Sequence, residues 1–255
     1  MHNLAGKRAL VTGGSGAIGR AVCTSLAAAG AEIVLTYFSD RDGAAATAAA
    51  VVAAGSKATV LRVNFADDGN TAAFLRELEA HVPLDILVSN AASGVVRPTA
   101  DLVDRHWNWS MAVNATSLFR VMQMLTAADA AAPRLRDGGR IVALSSLGGD
   151  RAIPQYAAVG ASKAAMASLV RNLCVDLGPR GITANVVSPG LVMTRALQAF
   201  PNKDQLIDVA KAKTPAPRLV TPDDVAGVVR FLCSDAAAMI SGQTLHVDGG
   251  YTAVA

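Results

Sequence analysis

Aromatic side chains are scarce in this chain of 255 residues, at 4% of positions, and cysteine occurs only three times. The scarcity of rings excludes a core built on large aromatics. With 52% apolar residues and 22 glycines, the composition points instead to a folded protein of closely packed backbone elements. Cys23, Cys174 and Cys233 are widely spaced, odd in number and set among apolar neighbours, which points to buried free thiols rather than a disulfide framework. Excess charge is also missing. The 23 basic and 20 acidic side chains leave a formal +3, with no basic stripe, so nucleic acid is not an expected partner. His2, His81, His106 and His246 are scattered without metal-ligand spacing, and no metal is expected.

No apolar run is long enough for a membrane span; the segment RDGAAATAAAVVAAG is too short and opens with charge. The first residues, MHNLAGKRALVTGGSG, pass directly into a strand and glycine loop without the pattern of a secretion signal. The reading is a protein of the reducing cytoplasm with no membrane partner.

What the sequence does have is alternation. Short β-rich runs, RALVTGG, EIVLTY, ATVLRVNF, LDILVSNAA, GRIVALSS, GITANVVSPG and QTLHVDGG, are separated by alanine-rich segments of helix length. Helices are expected over about 18–29, 41–54, 68–80, as one long element over 104–127, and over 156–177. NKDQLIDVAKA suits a short helix, and TPDDVAGVVRFLCSD opens with a Thr cap, a proline and early acids, a strong helix start. Continuous apolar strands joined by helices predict a parallel sheet covered on both faces. No linker divides the chain, so the expected fold is one α/β domain over 1–255: a Rossmann-type, three-layer, doubly wound parallel sheet.

The stretch ALVTGGSGAIGRAV places small residues at the first strand-to-helix turn, where backbone can approach a pyrophosphate at a helix N-terminus. A tight loop alone would also explain glycines there. In order along the chain follow Asn90-Ala91-Ala92, Asn114, a pair of serines at 145–146, Tyr156, Lys163 and a Ser-Pro-Gly turn at 188–190. With these motifs the chain resembles the short-chain dehydrogenase/reductase family over nearly its whole length.

That resemblance implies a nicotinamide nucleotide held by Gly13, Ser15, Gly16, Ala17, Ile18 and Gly19, with Ala17 standing where the family has a glycine. It implies adenine contacts from Asn64 and Phe65, further cofactor contacts from Asn90, Ala91, Ala92, Pro189, Gly190 and Thr194, and ribose contacts from Lys163. In LTYFSDR the first acid after the second strand is Asp40, so Ser39 and Arg41 are candidates for a 2′-phosphate and NADPH is the expected cofactor. An ordinary solvated arginine at a helix start is the plainer reading of Arg41.

Tyr156 and Lys163 stand seven positions apart, whereas the family usually places them four apart; Val159 holds that position here. On a helix, seven positions keep one azimuth and separate the pair by about 10.5 Å along the axis. The serine partner is Ser146 in the family register, with Ser145 possible after a one-residue strand shift. The family assigns Asn114 to structure and proton relay, supporting the lysine or a water network. The lysine ammonium is expected to make the phenol more acidic.

The wide spacing, with NAASGVVRP, HWNWSM, SSLGG and FPNKDQL, resembles the enoyl reductase III branch of bacterial type II fatty-acid synthesis. That resemblance implies NADPH-dependent reduction of an enoyl thioester on acyl carrier protein or coenzyme A, with Tyr156, Lys163, Asn114 and Ser146 catalytic. The enzyme alternative is a 3-oxoacyl or other carbonyl reductase; the non-enzyme alternative is a nucleotide-binding regulator.

Residues 191–215 are expected to form a substrate lid. Leu191, Met193, Leu197 and Phe200 are its candidate acyl contacts, core packing being the other reading, and Ser145 and Tyr156 are the further candidate substrate contacts. Arg195, Lys203, Lys211 and Lys213 suit either an acidic carrier or open solvent. Trp107 and Trp109 are read as core or subunit packing. The small residues Ala157, Gly160, Ala161, Ala164 and Ala165 permit the family's helix interface and a homotetramer, packing inside a monomer being the other reading.

Overall fold

The computed structural model describes residues 3–127, 132–200 and 202–254; His2 and Pro201 of the expected lid lie outside them. Seven strands form one parallel sheet: β1 (Arg8–Val11), β2 (Glu32–Tyr37), β3 (Ala58–Arg62), β4 (Leu84–Ser89), β5 (Leu135–Leu144), β6 (Thr183–Pro189) and β7 (Thr244–Val247), in the order β3-β2-β1-β4-β5-β6-β7. Every residue of β4 and of β6 is buried, so neither strand alternates between a core face and a solvent face.

Alternate residues feed two cores. Leu10, Leu87 and Ile141 face a cluster completed by α3 (Asp68–Leu78), α5 (Ser117–Thr126) and α6 (Ala157–Leu177). Ala9, Val11, Ile86 and Val88 face the opposite cluster, completed by α1 (Ala17–Ala28), α2 (Arg41–Ala53) and α8 (Pro222–Leu232). Burying each leucine of these layers stabilises the fold by about 1.5–3 kcal/mol before chain entropy is set against it. This is the three-layer, single-domain architecture the alternation predicts.

Local chemistry sets the helix starts. Thr221 caps α8, accepting from the Asp224 amide at 3.3 Å, while the Asp224 carboxylate accepts from the Thr221 amide at 2.8 Å. Pro222 occupies the first turn, where its missing N–H costs nothing. Arg218 grips the Asp224 carboxylate and holds it below the usual carboxylate range.

One expectation fails. The segment 104–127 is not one helix but α4 (Asp104–Met111), a π-helical turn over Ala112–Thr116, and then α5. The extra residue in that turn carries Asn114, and such π turns recur at functional sites. The remaining helix is α7 (Lys203–Lys213), preceded by a 3-10 turn at Arg195–Ala199.

From β1 the strand order runs outward in both directions, so a crevice opens beyond the C-terminal ends of β1 and β4. Both cavities described next lie at that end of the sheet.

Candidate active site

The first cavity, of about 420 Å³, is walled by the β1–α1 loop and by the turns after β2, β3 and β4. Gly16 precedes α1 with no side-chain cap, and the first turn holds no acid, so the helix amides and positive dipole end face the cavity. Gly13 has φ +66°, and a Cβ there would sit 2.8 Å from the Ala91 Cα. A Cβ on Gly19 would lie 2.2 Å from the Gly13 carbonyl oxygen. Thr12 and Asn90 lock the two turns together. The Thr12 hydroxyl accepts from the amides of Asn90 and Ala91 at 2.9 and 3.0 Å, and the Asn90 side chain donates to the carbonyls of Thr12 and Gly13. This cradle of uncapped amides and absent side chains fits the pyrophosphate of a dinucleotide.

Gly13, Ser15, Gly16, Ala17, Ile18, Gly19, Ser39, Asn64, Phe65, Asn90, Ala91, Ala92 and Thr194 all line this cavity. Arg41 does not. It is the first residue of α2 and stands exposed, because Asp40 takes the cap position and turns the chain away. Asp40 accepts from the Gly43 amide at 3.0 Å and pairs with Arg195 from the segment after β6. Both hold its carboxyl below the ordinary range, the arginine most strongly. Phe38, Asp40, Trp109 and Arg195 are wall residues that the motifs did not assign to the nucleotide. Neither tryptophan is core: Trp107 and Trp109 are 45% and 42% exposed.

The second cavity, of about 480 Å³, continues past Ile18 and Thr194 and is mainly apolar. Pro189, Gly190, Ser145, Ser146, Tyr156, Leu191, Leu197 and Phe200 line it, joined by Ile153, Leu206, Val209 and Tyr251. Met193, expected against the acyl chain, is instead 58% exposed and lies outside the lining, and the buried Val192 lines the cavity in its place. Lys203 bonds Gln198 of the 3-10 turn before α7, while Lys211 and Lys213 stand exposed in the last turn of that helix.

Tyr156 sits just before α6 rather than within it, with the Gly160 amide donating to its carbonyl at 2.7 Å. Gln155 before it has φ 63°, a left-handed conformation unusual for a side chain, and its carbonyl accepts from the Arg97 amide at 2.9 Å. The phenol ring stacks on Phe200 with centroids 5.9 Å apart and rests where Gly148 has no side chain: a Cβ there would be 2.3 Å from the ring. Its hydroxyl lies 3.3 Å from the Ser146 hydroxyl. Ser145, the other candidate, is directed to the Ser146 carbonyl at 3.4 Å. At the position of the usual tyrosine, Val159 is buried, and a Cβ on Gly94 would fall 2.2 Å from its methyl. No room for a phenol remains there.

Two expected electrostatic roles change. The Tyr156 phenol is not acidified; burial pushes it above its ordinary range, with the Ser146 hydrogen bond opposing weakly. Burial also pushes Lys163 down to about 8. Its ammonium donates to the Leu144 carbonyl at 2.6 Å, leaving two donors. Asn114, fully buried in the π turn, does not bond the lysine. It donates to the Ser93 carbonyl and the Ser162 hydroxyl, both at 2.8 Å, and accepts from the Ser93 amide at 3.0 Å. It thereby ties the loop after β4 to the residue preceding Lys163. Gly160, expected at a subunit interface, is buried internally, where a Cβ would lie 2.5 Å from the Gly148 carbonyl.

A family model described as Enoyl-(Acyl carrier protein) reductase matches residues 13–252. The chain is 36% identical to 1-cyclohexenylcarbonyl-CoA reductase of Streptomyces collinus, covering 96% of this chain and 87% of that protein. It is 37% identical to the 3-oxoacyl-acyl-carrier-protein reductase FabG of Escherichia coli, covering 97% and 98% respectively. Among solved structures, a short chain dehydrogenase from Burkholderia cenocepacia in complex with NADP superimposes with a TM-score of 0.87 at 34% identity, covering 98% of this chain and 99% of that one.

Proposed function

The chain belongs to the short-chain dehydrogenase/reductase family, and from that premise we propose that it reduces the conjugated double bond of an enoyl thioester using NADPH. The observation that carries this reading is the displaced Tyr156: its hydroxyl faces the apolar cavity beside Ser146, while buried Val159 fills the usual tyrosine position. The similarity to a reductase of 1-cyclohexenylcarbonyl-CoA supports it, since that name describes a double bond next to a thioester carbonyl. NADPH is favoured by the likeness to an NADP-bound neighbour.

When bound, NADPH supplies hydride to the substrate β-carbon, so negative charge gathers on the thioester oxygen, with the α-carbon and the carbonyl carbon lying between. Tyr156 donates a hydrogen bond to that oxygen, the kind of donor whose removal costs about 10²–10³ in rate. A phenol raised by burial stays protonated at neutral pH and remains a donor. Ser146 orients it, and Phe200 covers the ring and keeps water away. Lys163 turns its remaining N–H groups to ribose hydroxyls, and Asn114 fixes the turn that carries it. The lid over 191–215 takes the acyl chain against Leu191, Leu197 and Phe200. The thioester is carried by acyl carrier protein or coenzyme A, as in fatty-acid or related biosynthesis in the cytoplasm. Among the described residues no helix is long and apolar enough to cross a membrane. The half-exposed Trp107 and Phe119 on α4 and α5 suit a homotetramer.

The second reading is 3-oxoacyl reduction, favoured by the equal similarity to the Escherichia coli reductase. Loss of NADPH absorbance with crotonyl-CoA and acetoacetyl-CoA in parallel separates the two. The enoyl reading expects turnover of the crotonyl thioester; turnover of acetoacetyl-CoA alone would refute it.

A further inference from the structure

The lining of the nucleotide cavity includes two charged side chains, Asp40 and Arg195, and they are paired with each other. They lie 155 residues apart in sequence. Asp40 stands three residues past the end of β2, about 20 residues beyond the glycine loop, where an acid in this fold binds the adenosine ribose diol. Taken alone it would favour a nucleotide without a 2′-phosphate and repel one that carries it. The cation expected to offset it, Arg41, lies outside the cavity.

We propose, building on the reductase reading, that Arg195 of the lid is the residue that recognises the 2′-phosphate of NADPH, and that Asp40 is its resting counter-ion. Arg195 is well exposed, and an exposed ion pair is weak, so sharing the guanidinium with an incoming phosphate costs little. Its planar fork has five donors, enough to bridge the Asp40 carboxylate and a phosphate at once. Ser39, also in the wall, supplies a neutral donor on the same side. Arg195 begins the turn that bears Leu197 and lies five residues before Phe200, so the phosphate contact and the ring that covers Tyr156 belong to one segment. Cofactor choice is thus set by a contact between segments far apart in the chain.

The test is a titration of the intact protein with NADPH and with NADH, read by quenching of tryptophan fluorescence, because Trp109 lines the same cavity. Arg195→Ala is expected to weaken NADPH binding by about tenfold or more, the usual effect of losing a hydrogen bond between charged groups, and to change NADH binding less than about twofold. Asp40→Asn keeps the α2 cap, since Asn caps as well as Asp, and is expected to tighten NADPH a few-fold. An Arg195→Ala protein that binds NADPH as the parent does, or that loses both nucleotides equally, overturns the inference alone. A parent protein that binds neither nucleotide overturns the reductase reading and the inference with it.

Discussion

The nucleotide cavity is walled mostly by backbone and small side chains, from Gly13 round to Ala92, whereas the apolar cavity is walled by the ends of side chains such as Tyr156, Leu197 and Phe200. The first depends on what is absent: a Cβ at Gly13 or an acid in the first turn of α1 would decide against the approach of a pyrophosphate. The second depends on where a few side chains are held. Tyr156 alone needs the left-handed Gln155, the space at Gly148, the Phe200 ring and the Ser146 hydroxyl. A binding site for a common cofactor can be made of conformation; a site that chooses where a proton donor stands must be made of side chains.

If the two halves are separable in this way, Tyr156→Phe should lower kcat by about 10²–10³ while leaving the NADPH dissociation constant unchanged within twofold. Stopped-flow reduction together with a binding titration would show it; an equal loss in both would mean the tyrosine also holds the nucleotide. Gly19→Val should do the reverse. Its Cβ falls 2.2 Å from the Gly13 carbonyl, so NADPH binding should weaken by about tenfold or more, at the 1–3 kcal/mol that overpacking costs. A thermal melt would separate that loss from simple unfolding.

Gly148→Ala gives a smaller effect on the apolar side. The added methyl would press on the Tyr156 ring at 2.3 Å, and displacing the donor by about 1 Å should cost roughly 10²-fold or less in kcat, with NADPH affinity intact. The smallest effect is one of pH. With Lys163 near 8, its ammonium is lost as pH rises through that value. The kcat/KM for NADPH should therefore decline on an alkaline limb with a midpoint close to 8, a limb that Lys163→Met lacks. Stability should move the opposite way. The folded lysine gives up its proton before the unfolded one, so the unfolded chain binds more protons between pH 8 and about 10.4, and stability rises through that window.

The sheet, its parallel direction and the nucleotide loop were legible because each rests on local pattern: apolar runs, helix-length spacers, and small residues at one turn. The helix starts at Thr221 and Asp40 were equally local, being caps three residues from the amides they bind. What escaped was set by contacts across the chain. The π turn at Asn114 shows in the bonds from its side chain to Ser93 and Ser162, not in apolar periodicity. Arg41 and Met193 occupied suitable positions in sequence but face away, while Arg195 reaches Asp40 from the far side of the fold. The lysine was expected to acidify the tyrosine, yet burial governs both groups, and burial is a property of the packed molecule. A polar residue beside Lys163, Ser162, was the one local signal that could have pointed to Asn114's partner.

The central claim is that Tyr156 stands where it serves an enoyl oxygen. The most direct measurement supplies NADPH deuterated at the transferred position with an equimolar mixture of crotonyl-CoA and acetoacetyl-CoA, and identifies the labelled product by mass spectrometry. Butyryl-CoA bearing deuterium at C3 as the main product is the predicted result. Labelled 3-hydroxybutyryl-CoA in its place would contradict the claim and make the chain a ketoreductase with a displaced tyrosine.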